Sequence, residues 1–396
     1  MKYYISFIIL ILITLLIIYF YSNQEVKKVD LNPEIYIYTK SDISDNYIYA
    51  NMDVYENNNV ISFNDILIKL RGNSTRSYDK KPYSLKFNSD ISLLGLNISK
   101  RYNLISNGYD ETLMRNKMVY DFANNTKLPY SVSSRYVDVY LNDEYIGNYL
   151  LTDKVEVSNS DYFLEYEAYR DQPTETYFVT NKYNWRFNVH EGNDLNRLMN
   201  FFDEFETALE SKNYAIISKY ADIDSLIDSY IMLEYFKDVD CNFSSLYFYI
   251  KDNKLYAGPL WDFDLSMGVR YPLHSYNEYN NRNNLGNNSG NSYEGLYCNR
   301  NIYGELLKTD KIRKIVIRRY HNLQPLIRNL YTTDTLKYSV IDQYNKFYRS
   351  YYDKNNIIWQ STWVGEESYE ECLLYLKNWL RLRNEWLLSE YHIDYY

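Results

Sequence analysis

The sequence has few of the cysteine and histidine residues that are typical of small disulfide-bonded or metal-binding domains. Only 3 cysteines and 4 histidines occur among 396 residues, and neither a CxxC pair nor an HExxH motif is present. Because Cys241, Cys298 and Cys372 lie far apart, we expect neither a zinc ribbon nor a disulfide scaffold, and the missing HExxH excludes a zincin. With 12 glycines and 7 prolines, the composition is also unlike that of a collagenous or low-complexity chain.

Basic charge is in deficit as well. The chain has 43 lysines and arginines against 52 aspartates and glutamates, a net charge of −9. This diffuse acidity argues against a nucleic-acid partner, because non-specific binding requires basic surface to neutralise phosphates. What is present is a globular composition, with 46% hydrophobic and 24% charged residues. The length predicts two or three units, or one large two-lobed domain.

A long apolar run stands at the amino terminus. Residues 3–21 contain no charge, and tyrosines stand at both ends of the run. As a helix it would be about 28 Å long, enough to span a bilayer core. We therefore predict an uncleaved transmembrane anchor over 1–22 and a polar linker over 23–32. The alternative is a secretory signal peptide, but the following YSNQE lacks a small-residue cleavage site. Both interpretations tether the rest of the chain to a membrane or export it.

Residues 33–156 are predicted to be rich in β-structure. Runs such as IYIYT, VISF, ILIKL and YSLKF alternate apolar and polar positions and favour β-branched and aromatic residues, which is typical of antiparallel strands. One helix is predicted over 111–124. A hairpin follows, with strands over 135–141 and 145–151.

Residues 157–392 are predicted to be mostly helical. A strand pair at 245–250 and 254–258 interrupts them, and the Asn-rich and Gly-rich stretch 276–293 predicts a long loop. Asp222 or Asp224 is a candidate cap for the second helix. Helical periodicity predicts helices over 193–209, 223–237, 311–330, 335–352 and 368–389. The predicted fold class is therefore α+β, with a β-rich N-terminal lobe and a mostly helical C-terminal lobe.

The first motif with chemical potential is RGNSTR at 71–76, between two predicted strands. Its small residues let backbone N–H groups approach an anion closely, and its arginines complement the charge of a phosphate. Lys86 lies inside the next predicted strand, where a lysine that faces a cleft can hold phosphates. The competing interpretations are an ordinary hairpin turn for the loop and an outward-facing strand position for Lys86.

The second motif is KDVDCNFSS at 237–245. Asp240 precedes Ser245 by five residues, the separation at which protein kinases place a catalytic aspartate and a metal-binding asparagine. A serine hydroxyl is a weaker and shorter metal ligand than the asparagine side chain. Capping of a helix end is the competing explanation for Asp238 and Asp240.

The third motif is GPLWDFDLSMG at 258–268, after a predicted strand. Asp262 and Asp264 are two residues apart, and paired carboxylates bind hard cations such as the magnesium that bridges the phosphates of a nucleotide. Burying two charges in a run of Trp, Phe, Leu and Met is costly without a partner or a metal. We therefore predict that this pair binds a metal.

Together these stretches resemble the CotH (spore-coat protein H) kinase family. The resemblance runs in the family's order from about residue 34 to about residue 388, through LRGNSTRSYDKKPYSLKF, LMRNKMVYDFA, YVDVYLNDEYIGNYLLTDKVE, LYFYIKDNKLYAGPLWDFDLSMG and YLKNWLRLRNEWL. It implies a two-lobed, atypical protein-kinase-like fold that encloses ATP. It also implies transfer of the ATP γ-phosphoryl group to protein serines, as with spore-coat substrates.

The resemblance also implies which residues contact the nucleotide. The loop of Arg71, Gly72, Asn73, Ser74 and Arg76 would face the phosphates, and Lys86 would hold them. Residues 151–156 would form the hinge that contacts adenine. Arg115 and Asn116 lie on the helix that stands where kinases carry the acidic partner of this lysine, for which Glu111 and Asp121 are candidates.

The remaining implied roles are catalytic and metal-binding. Asp240 matches the catalytic aspartate and Asp262 the metal-binding one, while Asp264 and Ser245 are further candidate ligands of Mg²⁺ or Mn²⁺. Ser245 stands where a kinase has asparagine, which leaves a catalytically weak pseudokinase as the alternative, acting as a surface adhesin or structural binding protein. AMP transfer on the same scaffold is a third interpretation. As a kinase, the chain would act outside the cytoplasm on a partner with serine-rich segments.

Overall fold

The computed structural model describes residues 32–72, 74–108, 110–157, 159–168, 176–269, 292–333, 338–359 and 368–392. The predicted anchor, nearly all of the linker, and most of the predicted loop at 276–293 lie outside these ranges. Within them, no helix combines the length and the apolar character that a bilayer crossing requires.

The N-terminal part is a closed barrel of β-strands. Pairing follows the order β1-β2-β3-β4-β5-β7-β6, and the parallel pairing of β6 with β1 closes the ring. Period-two alternation builds its core: in β1, Ile35 and Ile37 are buried and the residues beside them are half-buried. The strands are β1 (Glu34–Tyr38), β2 (Ile48–Glu56), β3 (Asn59–Leu70), β4 (Tyr83–Ile91), β5 (Ser99–Ile105), β6 (Ser134–Leu141) and β7 (Glu144–Asp153).

One helix, α1 (Arg115–Ala123), lies between β5 and β6 in the chain. Nearly all of its side chains are buried, because it is enclosed between the barrel and the C-terminal part. Met118 and Phe122 join the core of the C-terminal part. Tyr120 joins a separate apolar cluster with Leu150 of β7 and Trp261.

The C-terminal part begins with strands that the sequence interpretation missed. It contains β8 (Tyr162–Tyr166), β9 (Tyr177–Val179) and β10 (Arg186–Glu191), which form one sheet with the predicted pair β11 (Leu246–Lys251) and β12 (Lys254–Ala257). The strand order is β12-β11-β8-β10-β9. One face of this sheet packs on helices through residues such as Leu164 and Phe248. The other face carries Phe163 and Tyr249 toward Trp261 and Val155.

Helices complete the C-terminal part, as predicted. Asp222 caps α4, accepting a hydrogen bond of 2.8 Å from the Ser225 amide. The helix predicted over 311–330 is divided at Leu323, and Pro325 lies in the first turn of the second half. The helices are α2 (Leu195–Glu210), α3 (Tyr214–Tyr220), α4 (Ile223–Tyr235), α5 (Ile302–Leu306), α6 (Asp310–Asn322), α7 (Gln324–Asn329), α8 (Val340–Trp359) and α9 (Tyr369–Glu390).

Helix α8 returns to the barrel and packs against β6 and β7. The buried Lys80 amino group donates to the Asn148 carbonyl at 2.5 Å and to Asn355 Oδ1 at 2.7 Å. Asn355 Oδ1 also accepts from the Asn148 amide at 3.0 Å. Burial lowers the pKa of Lys80 well below its usual range. The barrel and the C-terminal part are therefore joined at α8 by a buried polar contact.

Candidate functional site

The loop with Asp262 and Asp264 follows β12 and is positioned by α1. Asn116 Oδ1 accepts a hydrogen bond of 2.7 Å from the Phe263 amide. Arg115 Nε donates to the Ser266 carbonyl at 3.0 Å. Asp262 itself has a φ of 68°, so its backbone adopts the left-handed conformation that L-residues rarely take. Two neighbouring side chains of α1 thus fix the main chain on both sides of Asp264.

Arg115 is held in turn by two carboxylates. Its guanidinium pairs with Asp110 at 2.5 Å and with Glu111 at 2.9 Å, and all three side chains are buried. Asp121, further along α1, pairs with Lys117 at 2.5 Å. Glu111 and Asp121 are the two candidates for the acidic partner of Lys86, and in the structure they pair with Arg115 and Lys117 instead.

Four carboxylates from two loops lie within electrostatic reach of one another. Burial first, and then Asp262, raise the pKa of Asp264 well above its usual range, while Arg71 opposes this shift. Burial first, and then Asp240, likewise raise the pKa of Asp238. Asp238 Oδ1 accepts from the Asp240 amide at 3.1 Å, and its Oδ2 has no hydrogen-bond partner among the described atoms. These carboxylates therefore concentrate negative charge, which a bound cation would neutralise.

Protein carboxylates alone do not complete a metal site here. Among the described residues, no group of three or more His, Cys, Asp or Glu side chains is arranged to hold a metal ion. The donor set nevertheless fits magnesium, which proteins bind through one or two carboxylates together with water and substrate phosphates. Ser245, half-buried at the entrance to β11, has no described contact with Asp262 or Asp264.

A cavity of about 440 Å³ opens on the outer face of the barrel, a volume typical of small-molecule sites. Its lining includes Lys69, Arg71, Arg76, Arg101 and Lys154. Burial first, and then Arg101, lower the pKa of Lys154. The excess of cations indicates a site for an anionic ligand.

Arg71 joins this cavity to the acidic loop. Its guanidinium lies 5.1 Å from the ring centroid of Trp261, the residue before Asp262. Arg71 also attracts Asp264 and the Tyr247 phenolate, which lowers their pKa values against the stronger effect of burial. The cationic cavity and the buried carboxylates are therefore neighbours, connected through Arg71.

The predicted phosphate loop is placed beside this cavity, although Lys86 is not. Gly72 lines the cavity with a φ of 82°, and a Cβ there would collide with the Thr75 hydroxyl. Ser74 begins a short 3₁₀ helix, Ser74–Ser77, and Arg76 pairs with Asp45 at 2.8 Å. Asn73 lies outside the described residues. Lys86 is exposed on β4 and is not among the lining residues.

A segment over 292–301, which sequence reasoning did not single out, holds the loop of Asp238 and Asp240 in place. The buried Glu234 carboxylate accepts from the Tyr297 and Cys298 amides at 2.8 and 2.9 Å. Arg383 pairs with Glu234 at 2.6 Å and donates to the Tyr293 and Gly295 carbonyls. These contacts bind the backbone of the segment from both sides.

Two further contacts fasten the same segment. Lys237, next to Asp238, donates to the Ser292 carbonyl at 2.7 Å and the Glu294 carbonyl at 2.6 Å. Cys241, next to Asp240, forms a disulfide with Cys298. The sequence argument against a disulfide scaffold missed this bridge, because a pairing across 57 residues becomes visible only when the fold brings both cysteines together.

A cationic cavity whose Arg71 contacts a carboxylate loop is an arrangement suited to a polyphosphate and a divalent cation. The comparison with known families agrees with this class. The chain belongs to the CotH kinase family, because the family model described as CotH kinase protein matches residues 68–387. This membership implies an atypical kinase that uses ATP. No curated protein matches the chain.

Proposed function

We propose that this protein is an atypical protein kinase with two lobes, which transfers the γ-phosphoryl group of ATP to serine side chains. The observation that carries the proposal is the contact of Arg71 with Trp261. Through it, the cations of the barrel and the carboxylates of the C-terminal part form one continuous site. Phosphoryl transfer requires mainly positioning and charge neutralisation from the protein, and this site supplies both.

The triphosphate would occupy the cationic cavity. Lys69, Arg71 and Lys154 extend from β3 and from the end of β7, on the same side of the barrel. They would neutralise the phosphate charge that arginine and lysine recognise. We assign this role to the lining residues rather than to Lys86, whose side chain is exposed. Gly72 also lines this cavity, which supports a phosphate-facing role for its loop.

Asp262 and Asp264 would hold magnesium or manganese. A bound divalent cation would neutralise the charge that develops between the β- and γ-phosphates. Such a cation would fit the buried Asp264, whose pKa is raised, and Asp238 Oδ2, which accepts no hydrogen bond from the part of the chain that the structure describes. Their burial is costly while the charges lack a partner.

Asp240 would orient the acceptor serine. Its carboxylate is half-buried and its amide is fixed by Asp238, so it can accept the hydroxyl proton. The serine oxygen forms a bond to the γ-phosphorus while the bond from phosphorus to the β–γ bridging oxygen breaks, and ADP leaves. The disulfide beside Asp240 would keep this geometry constant.

We also propose that the kinase acts outside the cytoplasm, anchored by residues 1–22. The Cys241–Cys298 disulfide supports this location, since disulfides persist mainly in oxidising compartments. A membrane-impermeant label applied to intact cells should modify exposed lysines of the chain. Labelling only after lysis would contradict the location and leave the kinase proposal intact.

The activity is tested with the full chain, Mg²⁺ and ATP labelled at the α or the γ position. A peptide of Ser/Arg repeats serves as the acceptor. Transfer of the γ label supports a kinase, transfer of the α label indicates AMP transfer, and no transfer indicates a binding protein. Asp262→Ala should abolish transfer of the label, whereas Asp42→Ala, on an exposed loop of the barrel, should not.

The second candidate is a weak pseudokinase that serves as an adhesin or structural binding protein. Ser245 favours it, because a hydroxyl replaces the amide oxygen that kinases use for a second metal. In that case ATP binds without transfer, and Ser245→Asn should create or raise Mg²⁺-dependent transfer. Wild-type transfer that Ser245→Asn does not improve would contradict this candidate.

A further inference from the structure

The face of the five-stranded sheet that is turned toward the barrel carries a polar row that phosphoryl transfer, as proposed, does not use. Tyr247 on β11 stands opposite Glu165 on β8, and Glu165 stands opposite Asn188 on β10. Directly opposed residues in antiparallel strands place their side chains on the same face. This row therefore shares its face with Phe163, two residues before Glu165.

The Glu165 carboxylate is held at a defined place in this row. Its Oε2 lies 2.8 Å from His190 Nε2, and the Tyr247 hydroxyl also hydrogen-bonds it. The Phe163 ring stacks on Tyr247, with centroids 5.5 Å apart and planes 12° apart. A carboxylate and an imidazole thus stand at the edge of an aromatic surface, with their remaining hydrogen-bonding capacity available to a ligand.

The row adjoins the proposed nucleotide site. Tyr247 lies within electrostatic reach of Asp262 and Arg71. Glu191, the residue after His190, attracts Lys154 in the cavity lining. Asn188 is only 3% exposed, and its Oδ1 has no hydrogen-bond partner among the described atoms. The row is therefore next to the cations that line the cavity.

We propose that Glu165 and His190 bind the ribose hydroxyls of the nucleotide, an inference that rests on the proposed function. A carboxylate is the group that recognises a ribose 2′-hydroxyl in dinucleotide-binding folds. With the phosphates among the cations and the metal at Asp262, the sugar lies farther along the cleft, over the sheet. The aromatic surface of Phe163 and Tyr247 continues beneath it.

The test compares the affinities of ATP, 2′-deoxy-ATP and 3′-deoxy-ATP by calorimetry on the full chain with Mg²⁺. The wild type should prefer ATP by about 10- to 100-fold over at least one deoxy analogue, the range expected for a hydrogen bond to a charged group. Glu165→Gln should lower the affinity for ATP toward the affinity for that analogue, and it should leave the affinity for the analogue unchanged. His190→Phe should act in the same direction, while Glu204→Gln, exposed on α2, should change nothing.

The outcomes separate the two proposals. If ATP binds and Glu165→Gln keeps the full discrimination, the ribose assignment is overturned and the kinase proposal stands. If the wild type binds no ATP, both are overturned. Unchanged affinity of the deoxy analogue for Glu165→Gln shows that the variant is folded, so loss of discrimination cannot be ascribed to unfolding.

Discussion

Replacing Asn116 with alanine tests whether α1 positions the loop of Asp262 and Asp264, which is proposed to bind the metal. The Asn116 side chain accepts hydrogen bonds of 2.7 Å from the Phe263 amide and 3.3 Å from the Tyr120 hydroxyl, and all three residues are buried. The alanine variant leaves a buried amide unpaired, which costs about 1–3 kcal/mol of unfolding free energy. A catalytic group that is misplaced by about 1 Å can lower a reaction rate about 100-fold. Release of the loop should therefore lower the rate of phosphoryl transfer by up to about 100-fold.

Urea denaturation gives the unfolding free energy, and initial rates with γ-labelled ATP at several Mg²⁺ concentrations give the rate. Asn125→Ala, at an exposed position just after α1, is the matched control and should leave both quantities unchanged. The reasoning is refuted if Asn116→Ala loses stability but keeps the wild-type rate and Mg²⁺ dependence. In that case Asn116 supports only the fold.

The remaining predictions concern the contacts that hold residues 292–301. Burial lowers the pKa of Lys237 to about 7. Between about pH 7 and 10 its side chain is therefore protonated in the unfolded chain but not in the folded one. The unfolding free energy should consequently rise with pH in this range, by up to about 1.4 kcal/mol per pH unit. Lys237→Met should remove this slope in urea titrations, and the exposed Lys219→Met should keep it. Cys298→Ser should cost about 2–4 kcal/mol of unfolding free energy and slow transfer, and a thiol reductant should affect the wild type but not this variant. Arg383→Met should cost about 3–5 kcal/mol of unfolding free energy, because it leaves Glu234 buried without its cation. Adding Glu234→Gln to this variant should recover part of the loss. If the losses of the two single variants simply add in the double variant, the pairing is contradicted.

Much of the fold could be predicted from local sequence patterns. The hairpin β6–β7, the pair β11–β12 and the long helices α2, α4 and α9 combine clear periodicity with turn or cap residues. Strands β8 to β10 could not be recognised in this way, because short apolar runs such as YFLEY fit a buried strand and a helix equally well. The closure of the barrel depends on the pairing of β1 with β6, which are about a hundred residues apart in the chain, and no local pattern reports such a pairing.

The two halves of the site differ in how far the sequence reveals them. Asp262 and Asp264 stand out because two charges interrupt an apolar run. The cations that line the cavity do not stand out, because Lys69 and Arg101 lie on separate strands and Lys154 directly follows a third, and only the folding of the barrel brings them together. Lys86, chosen for its apolar neighbours, is exposed because alternation in β4 turns Leu85 and Phe87 inward instead.

The Lys80 contact with α8 has a consequence for ligand exchange. A hinge-like swing of the barrel away from α8 would break the hydrogen bonds of the buried Lys80 amino group to Asn355 and to the Asn148 main chain. Such a swing would cost about 0.5–1.5 kcal/mol for each of these hydrogen bonds. In the proposed kinase, nucleotide exchange through the open mouth of the cavity, past the side chains of Arg76 and Asp45, would leave all of these hydrogen bonds in place.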